Sequence, residues 1–516
     1  SSVITGSAGG TLAFNRSDTI TSGVDFNSAI VGGINIAQVG SGTLVLTASN
    51  TIGKTSITNG TLQISNANQL GAAPGSFTAD QLTISNGATL RTTTAPLTLP
   101  AARGITIGSG GGKLDVSASG NLIVNGRFTG LGETVIVTGS GGFSLGNTAN
   151  GASNVNWDFA MNSGQRAFFT GSDALGTGTV LVRNGVRLVS QTQAPTGGQV
   201  TNAVTLESGA GISARSTGGA VTYTSVALPS SGSLIFNRDD LATSALTIAS
   251  GKALEGILTV DTSQQAANAV GDVTLSGIFS GTSGGITKIG TGVSGKLILG
   301  GVNTYGGNTT ISTGTLALAA TSSISNSDII TVANGATFDV SALTGGFSLG
   351  AGQALGGSGT ILGDVTSVGT IAPGSSPGTL TFGGDLSLGS GSILSYELNG
   401  SDMTVGGGVN DLSSILGDLT LAGTINVAES VANSFLSATV GNSWRLFDYT
   451  GTLTNNTLSL GTMPTLGSGL TFGIDTGTAG QVNLVVITVP EPATIVTGLI
   501  GLGLTGLAAA RRRRIC

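Results

Sequence analysis

Gly295-Lys296-Leu297-Ile298-Leu299-Gly300-Gly301-Val302-Asn303-Thr304-Tyr305 leads into Thr309-Thr310-Ile311-Ser312-Thr313-Gly314-Thr315-Leu316. From the left this is a short alternating strand, a turn carrying Asn and Gly, a second strand, a glycine corner and a third strand. The same order stands far upstream, where Gly42-Thr43-Leu44-Val45-Leu46-Thr47-Ala48-Ser49-Asn50-Thr51 leads to Thr55-Ser56-Ile57-Thr58-Asn59-Gly60-Thr61-Leu62. Flanking strings repeat as well. Leu12-Ala13-Phe14-Asn15-Arg16-Ser17-Asp18 answers Leu234-Ile235-Phe236-Asn237-Arg238-Asp239-Asp240, and Asn86-Gly87-Ala88-Thr89-Leu90 answers Asn334-Gly335-Ala336-Thr337-Phe338. Residues near 10–146 and near 232–350 therefore read as two copies of one larger unit.

Strands of four to six residues, punctuated by Gly, Asn, Ser or Thr, suit tight coils whose inward Leu, Ile and Val stack while outward Thr and Ser face water. The expected fold is all-β, a parallel β-solenoid, because one coil alone cannot bury its apolar face. At roughly 20–25 residues per coil and about 4.8 Å between coils, residues 1–390 predict a rod on the order of 80 Å. An antiparallel β-sandwich shares this turn spacing and is the competing architecture. From 391 the texture changes. Ile393-Leu394-Ser395-Tyr396-Glu397-Leu398 reads as a strand, Asp418 to Val427 as two strands around Gly423, and Trp444, Phe447, Tyr449 and Phe472 cluster in a chain poor in aromatics. Residues 391–487 are expected to form a small β cap over the open end of the solenoid.

Composition narrows the function classes. Of 516 residues 88 are glycine, only 9% are charged and none is histidine, yet 39% are hydrophobic. A disordered chain combines low hydrophobicity with high net charge, and this one has neither. The net charge of −6 and the absence of a basic-aromatic patch exclude a nucleic-acid partner. Without histidine, Ser-His-Asp and Cys-His catalysis and imidazole metal sites are impossible. There is no EF-hand loop, no calcium-binding nonapeptide, and no Gly-Lys-Ser/Thr after the glycines at 108–112. No cofactor, metal ligand or catalytic residue is expected. Arg238, Asp239 and Asp240 form the best enzymatic cluster, since polysaccharide cleavage needs paired carboxyls about 5–10 Å apart. Their recurrence as Arg16 and Asp18 argues for a structural turn instead. Trp444, Phe447 and Tyr449 are read as core of the cap ahead of a sugar-stacking platform, and Asn50 and Asn303 as internal turn hydrogen bonds.

The C-terminal residues are of another kind. Val489-Pro490-Glu491-Pro492-Ala493-Thr494 precedes an uncharged apolar run at 495–510, then Arg511, Arg512, Arg513, Arg514, Ile515 and Cys516. At about 1.5 Å per residue this run predicts a transmembrane helix of roughly 24 Å, with the arginines held on the cytoplasmic side. The two prolines keep the preceding motif extended and unpaired, as suits a peptide entering an enzyme cleft. An ordinary tail anchor is the plain alternative. Removing four of the 19 basic residues would leave 15 against 25 acidic ones, near −10, and would also remove the sole cysteine. Ser1-Ser2-Val3-Ile4-Thr5-Gly6 is no signal peptide, so export implies numbering that starts after one was removed.

Two resemblances follow from these residues. Pro490, Glu491 and Pro492, the apolar run and the four arginines resemble the PEP-CTERM sorting signal of Gram-negative bacteria. In that family a membrane-embedded cysteine transpeptidase, exosortase, removes helix and tail and passes the protein to the cell surface or exopolysaccharide matrix. The implied partners are an exosortase-like transpeptidase, the inner membrane transiently, and extracellular polysaccharide or like copies of the chain. Residues 42–62 and 295–316 resemble the autotransporter-associated β-strand repeat. Lys288, Gly290, Gly292, Leu297, Leu299, Asn303, Tyr305, Gly307, Thr309, Gly314 and Leu316 lie on its pattern, and the first copy departs from it by placing Ile52 where Tyr305 sits. Gly369-Thr370-Ile371-Ala372-Pro373-Gly374-Ser375-Ser376-Pro377-Gly378-Thr379-Leu380 resembles the late coils of such passengers. This likeness implies a right-handed β-helix with an extracellular, non-enzymatic role. It also implies a structural surface protein, with a glycan-binding adhesin and a polysaccharide-cleaving β-helix as alternatives. The chain is too short to carry a large outer-membrane barrel of its own after such a passenger.

Overall fold

A computed structural model describes residues 3–489, other than 27–28, 118–119, 147–152, 192–197, 216–218, 237–243, 264–270, 291–294 and 375. Strands pair in parallel with their counterparts one coil away, building sheets of up to 16 strands among the described residues. Ile286 pairs with Thr309 and Thr309 with Ile330, steps of 23 and 21 residues. The fold is a parallel β-solenoid, and the β-sandwich alternative falls with that pairing.

Alternation puts every second side chain inside, and the register stacks those side chains into columns. Val221, Leu246, Val273, Leu297, Leu316, Phe338, Ile361, Phe382 and Ile415 form one column in the 13-stranded sheet, all at 0% exposure. Leu258, Ile286, Thr309, Ile330, Leu355, Ile371, Leu394 and Ile425 form another in the 16-stranded sheet. Thr309 is its one polar member, and its hydroxyl meets those of Tyr305 and Ser327 at 2.7 and 2.9 Å.

The two repeat copies fold alike. Asn35–Gln38, Thr43–Val45, Thr55–Ile57 and Thr61–Ile64 answer Gly285–Ile289, Leu297–Leu299, Thr309–Ile311 and Thr315–Leu318, each set alternating between two sheets. Corner residues Gly60 and Gly314 adopt φ of 62° and 70°. A side chain at Gly60 would also run into the carbonyls of Gly40 and Gly42.

The texture change at 391 does not mark a change of pairing. Ile393–Leu398 pairs in parallel with Thr370–Pro373 on one side and Thr424–Glu429 on the other, which in turn pairs with Ser459–Leu460. Leu419–Leu421 and Thr424–Glu429 lie in different sheets, so Gly423 is a coil corner and not a hairpin. Antiparallel strand pairing first enters, among the described residues, where Gln481–Thr488 meets Ser443–Tyr449 and Leu470–Asp475. Side-chain alternation is the same in parallel and antiparallel strands, so the sequence pattern was blind to this change of direction. No helix among the described residues is long and apolar enough to cross a membrane. The membrane helix expected over 495–510 lies outside the described residues, as do Pro490, Glu491, Pro492, Ala493, Thr494 and Arg511, Arg512, Arg513 and Arg514.

Candidate functional site

The residues singled out for chemistry resolve into structural devices. Arg16 binds Asp18 through two hydrogen bonds of 2.8 and 2.6 Å on an exposed turn, and the guanidinium holds the Asp18 carboxyl below the usual carboxylate range. The next coil rests on this turn, since the Gly42 and Thr43 amides donate to the carbonyls of Arg16 and Asp18. Arg238, Asp239 and Asp240 lie outside the described residues. Asn50 is buried, accepts from the Ile30 amide at 2.9 Å and donates to the Gln69 carbonyl at 2.7 Å. Asn303 does the same with the Phe279 amide and the Gly301 and Ser323 carbonyls. Both hydrogen-bond internally, as expected, but chiefly as staples between coils and not within a turn.

Two of the three aromatics are closed to ligands. Trp444 is at 0% exposure, its indole N–H donates to the Asn399 carbonyl at 2.9 Å, and the Phe435 ring sits 4.7 Å away. Phe447 is likewise buried, 5.8 Å from Tyr396, and Tyr449 is half-buried against the core. A sugar cannot stack on Trp444 or Phe447 without unfolding this end, which leaves only the half-buried Tyr449 of the proposed platform.

The sequence missed an inward lysine. Lys288 lies in the core column between Val260 and Ile311, at 0% exposure. Its ammonium donates to the Ile289 and Thr313 carbonyls at 3.0 and 3.3 Å. Burial pushes its pKa down to about 8, with Asp261 acting in the opposite sense. In the first copy Gln38 occupies the matching place, paired with Ile57, and its amide donates to the Gly40 and Gly42 carbonyls. Both side chains hold a glycine corner from inside. Comparing the two copies position by position was the available signal.

What the outer faces offer is rows of hydroxyls. Thr259, Thr287, Thr310 and Thr331 align on four successive coils of the 16-stranded sheet. Thr19, Thr43, Thr61 and Thr89 align in the ten-stranded sheet, and Ser348, Thr366, Ser387, Thr420 and Thr454 in the five-stranded one. Rungs about 4.8 Å apart present these groups at a fixed repeat. The carboxylates of Asp364, Asp385 and Asp418 each cap the next coil, accepting from the amides of Asp385, Asp418 and Thr452 at 2.9, 2.8 and 2.7 Å. No group of three acidic or thiol side chains among the described residues is placed to hold a metal. A groove of about 650 Å³ lies beside Phe128–Thr129, with Phe77 under the Arg127 guanidinium at 4.9 Å.

Comparison with known proteins adds to this geometry. Residues 488–514 match the PEP-CTERM protein-sorting motif, and residues 36–64 and 294–318 match the passenger-associated-transport-repeat. Over 121 residues the chain is 46% identical to the adhesin BmaC autotransporter of Brucella suis biovar 1 (strain 1330). That match covers 23% of this chain and 3% of the adhesin, so the chain spans a small part of the relative's length. The chain thus carries a C-terminal sorting motif, passenger-type repeats, and a stretch homologous to part of an autotransporter adhesin. The sorting match begins at Thr488, the last residue of the final strand among the described residues.

Proposed function

We propose that this is a non-enzymatic structural protein of the cell surface or extracellular matrix, exported and then sorted through its C-terminus. The observation that carries the proposal is the sorting-motif match starting where the last described strand ends. On this reading Val489, Pro490, Glu491, Pro492, Ala493 and Thr494 are the segment an exosortase-like transpeptidase recognises. The run at 495–510 holds the chain transiently in the inner membrane, and Arg511, Arg512, Arg513 and Arg514 keep the tail cytoplasmic. The coils are right-handed, the hand that parallel crossovers adopt in about 98% of cases. The rod acts mechanically, its hydroxyl rows contacting polysaccharide or like copies. Expression in a host with and without exosortase tests the sorting step by intact mass. Loss of the tail only in the exosortase host is the expected result, and a tail that persists equally in both refutes it.

The adhesin reading has a specific observation behind it, the likeness to a protein named an adhesin. Binding would then use the outer hydroxyl rows, since Trp444 is sealed in the core. Glycan-array binding lost in a Thr287→Lys, Thr310→Lys double variant supports that reading, and binding unchanged in the variant removes it.

A further inference from the structure

The last described strand, Gln481–Thr488, leaves the solenoid at an edge poor in charge. Its final residues pair with Leu470 and Thr471 at the start of Leu470–Asp475, and the Val489 amide donates to the Gly469 carbonyl. On its other side Gly441 donates to the Val486 carbonyl, which brings the 431–440 loop to the same edge. Residues 430–444, 463–474 and 480–489 contain no charged side chain. Four apolar residues there face outward, Leu436, Val440, Ile487 and Val489, at 52, 57, 40 and 50% exposure.

The loop is held in this presentation. Phe435 is fully buried, 4.7 Å from Trp444 and 5.5 Å from Phe472, and the Glu429 carboxylate accepts from the Asn433 and Phe435 amides. The Ser434 hydroxyl accepts from the Gly400 amide at 2.8 Å. With its neighbour anchored inward, Leu436 is turned out.

Resting on the sorting reading above, we propose that this edge is a lipid-contact surface. Leu436, Val440, Ile487 and Val489 seat in the outer headgroup region of the membrane that holds the 495–510 run, until the tail is removed. Tether length favours lipid over another occupant. Residues 490–494 are five in number and span at most about 18 Å fully extended. The edge is thus kept at high effective concentration beside the bilayer from the moment the run inserts. Charge beside this loop is confined to the Glu429 carboxylate, whose bonds from the Asn433 and Phe435 amides replace part of the water a charge in the interface would have to shed. The surface becomes free when the tail is cut, so processing exchanges a lipid-seated rod for a released one.

The test uses the full chain, with Cys516→Ser, in neutral phosphatidylcholine nanodiscs. Single cysteines at Leu436, Val440, Leu131 and Leu502 are each labelled with an environment-sensitive fluorophore, and a headgroup nitroxide serves as quencher. Leu131, 90% exposed and distant in the chain, reports bulk water, and Leu502 reports insertion of the apolar run. Blue-shifted, quenched emission at Leu436, Val440 and Leu502, but not at Leu131, is the expected pattern. Quenching at Leu502 with water-like emission at both Leu436 and Val440 overturns the lipid surface and leaves the membrane reading standing. Water-like emission at Leu502 overturns both.

Discussion

Replacing Lys288 separates the charge of this buried side chain from its hydrogen bonds. Its pKa lies at about 8, against an ordinary 10.5, so holding the ammonium in the core costs on the order of 3 kcal/mol. The sign is set by linkage. The unfolded chain binds this proton more tightly, so the burden is present in full below pH 8. Coil stability from this group then rises as pH climbs from about 8 to 10.5. Lys288→Gln keeps a donor and removes the charge, and Gln38 already does this work in the first copy. It is expected to match or exceed the parent at pH 7 and to lose the rise with pH. Lys288→Met removes both charge and donors, leaving the Thr313 carbonyl short of a partner at about 1–3 kcal/mol, while the Ile289 carbonyl keeps the Thr262 amide. Native-state hydrogen exchange of the amides in Gly285–Ile289 and Thr309–Ile311, followed from pH 7 to 10.5, is the suitable assay. A stacked-coil protein opens locally, so a single global unfolding energy would blur the effect. An unchanged pH slope in Lys288→Gln, or a loss equal to that of Lys288→Met, would falsify the argument.

Asp411 is 2% exposed and accepts from the Gly378 and Glu397 amides at 2.8 and 2.6 Å, and burial raises its carboxyl pKa to about 6. With the folded value above the unfolded 3.8, local stability falls as pH rises from about 4 to 6. Asp411→Asn should abolish that slope in exchange protection of the Gly378 amide, and a persisting slope assigns it to another group. Trp444→Ala empties a fully buried site and should cost about 3–5 kcal/mol, read as early thermal loss of protection in Gln481–Thr488. If that variant keeps its closing strands but loses glycan binding, the assignment of Trp444 to the core is mistaken.

Much of the solenoid was legible because its rules are local. The alternation in Leu297-Ile298-Leu299 and the corner at Gly314 need only neighbouring residues to be read, and they recur often enough to define a coil. That Asn50 and Asn303 make internal hydrogen bonds was legible for the same reason, but that their partners lie on neighbouring coils was not. Lys288 was not, because a lysine on an alternating strand reads as either face until the register puts it between Val260 and Ile311. Trp444 was placed in the core by composition alone, but its contact with Phe435 and its bond to Asn399 bring together residues from three coils. The texture change at 391 was visible and its meaning was not, since parallel and antiparallel strands share one alternation.

By itself the sequence determined an all-β chain without the side chains for triad catalysis, repeated coils with glycine at their corners, and a C-terminal segment of sorting type. Each of these is a property of residue chemistry and short spacing. Tertiary structure alone decided that the hydroxyls of Thr259, Thr287, Thr310 and Thr331 form one row. It alone decided, too, that the coils run past 391 and that Gln481–Thr488 closes the stack antiparallel with Leu436 and Val440 at its rim. The physical reason is register. Neighbours across a rung lie some twenty residues apart in the chain, and only the packing of one coil on the next selects which residues those are.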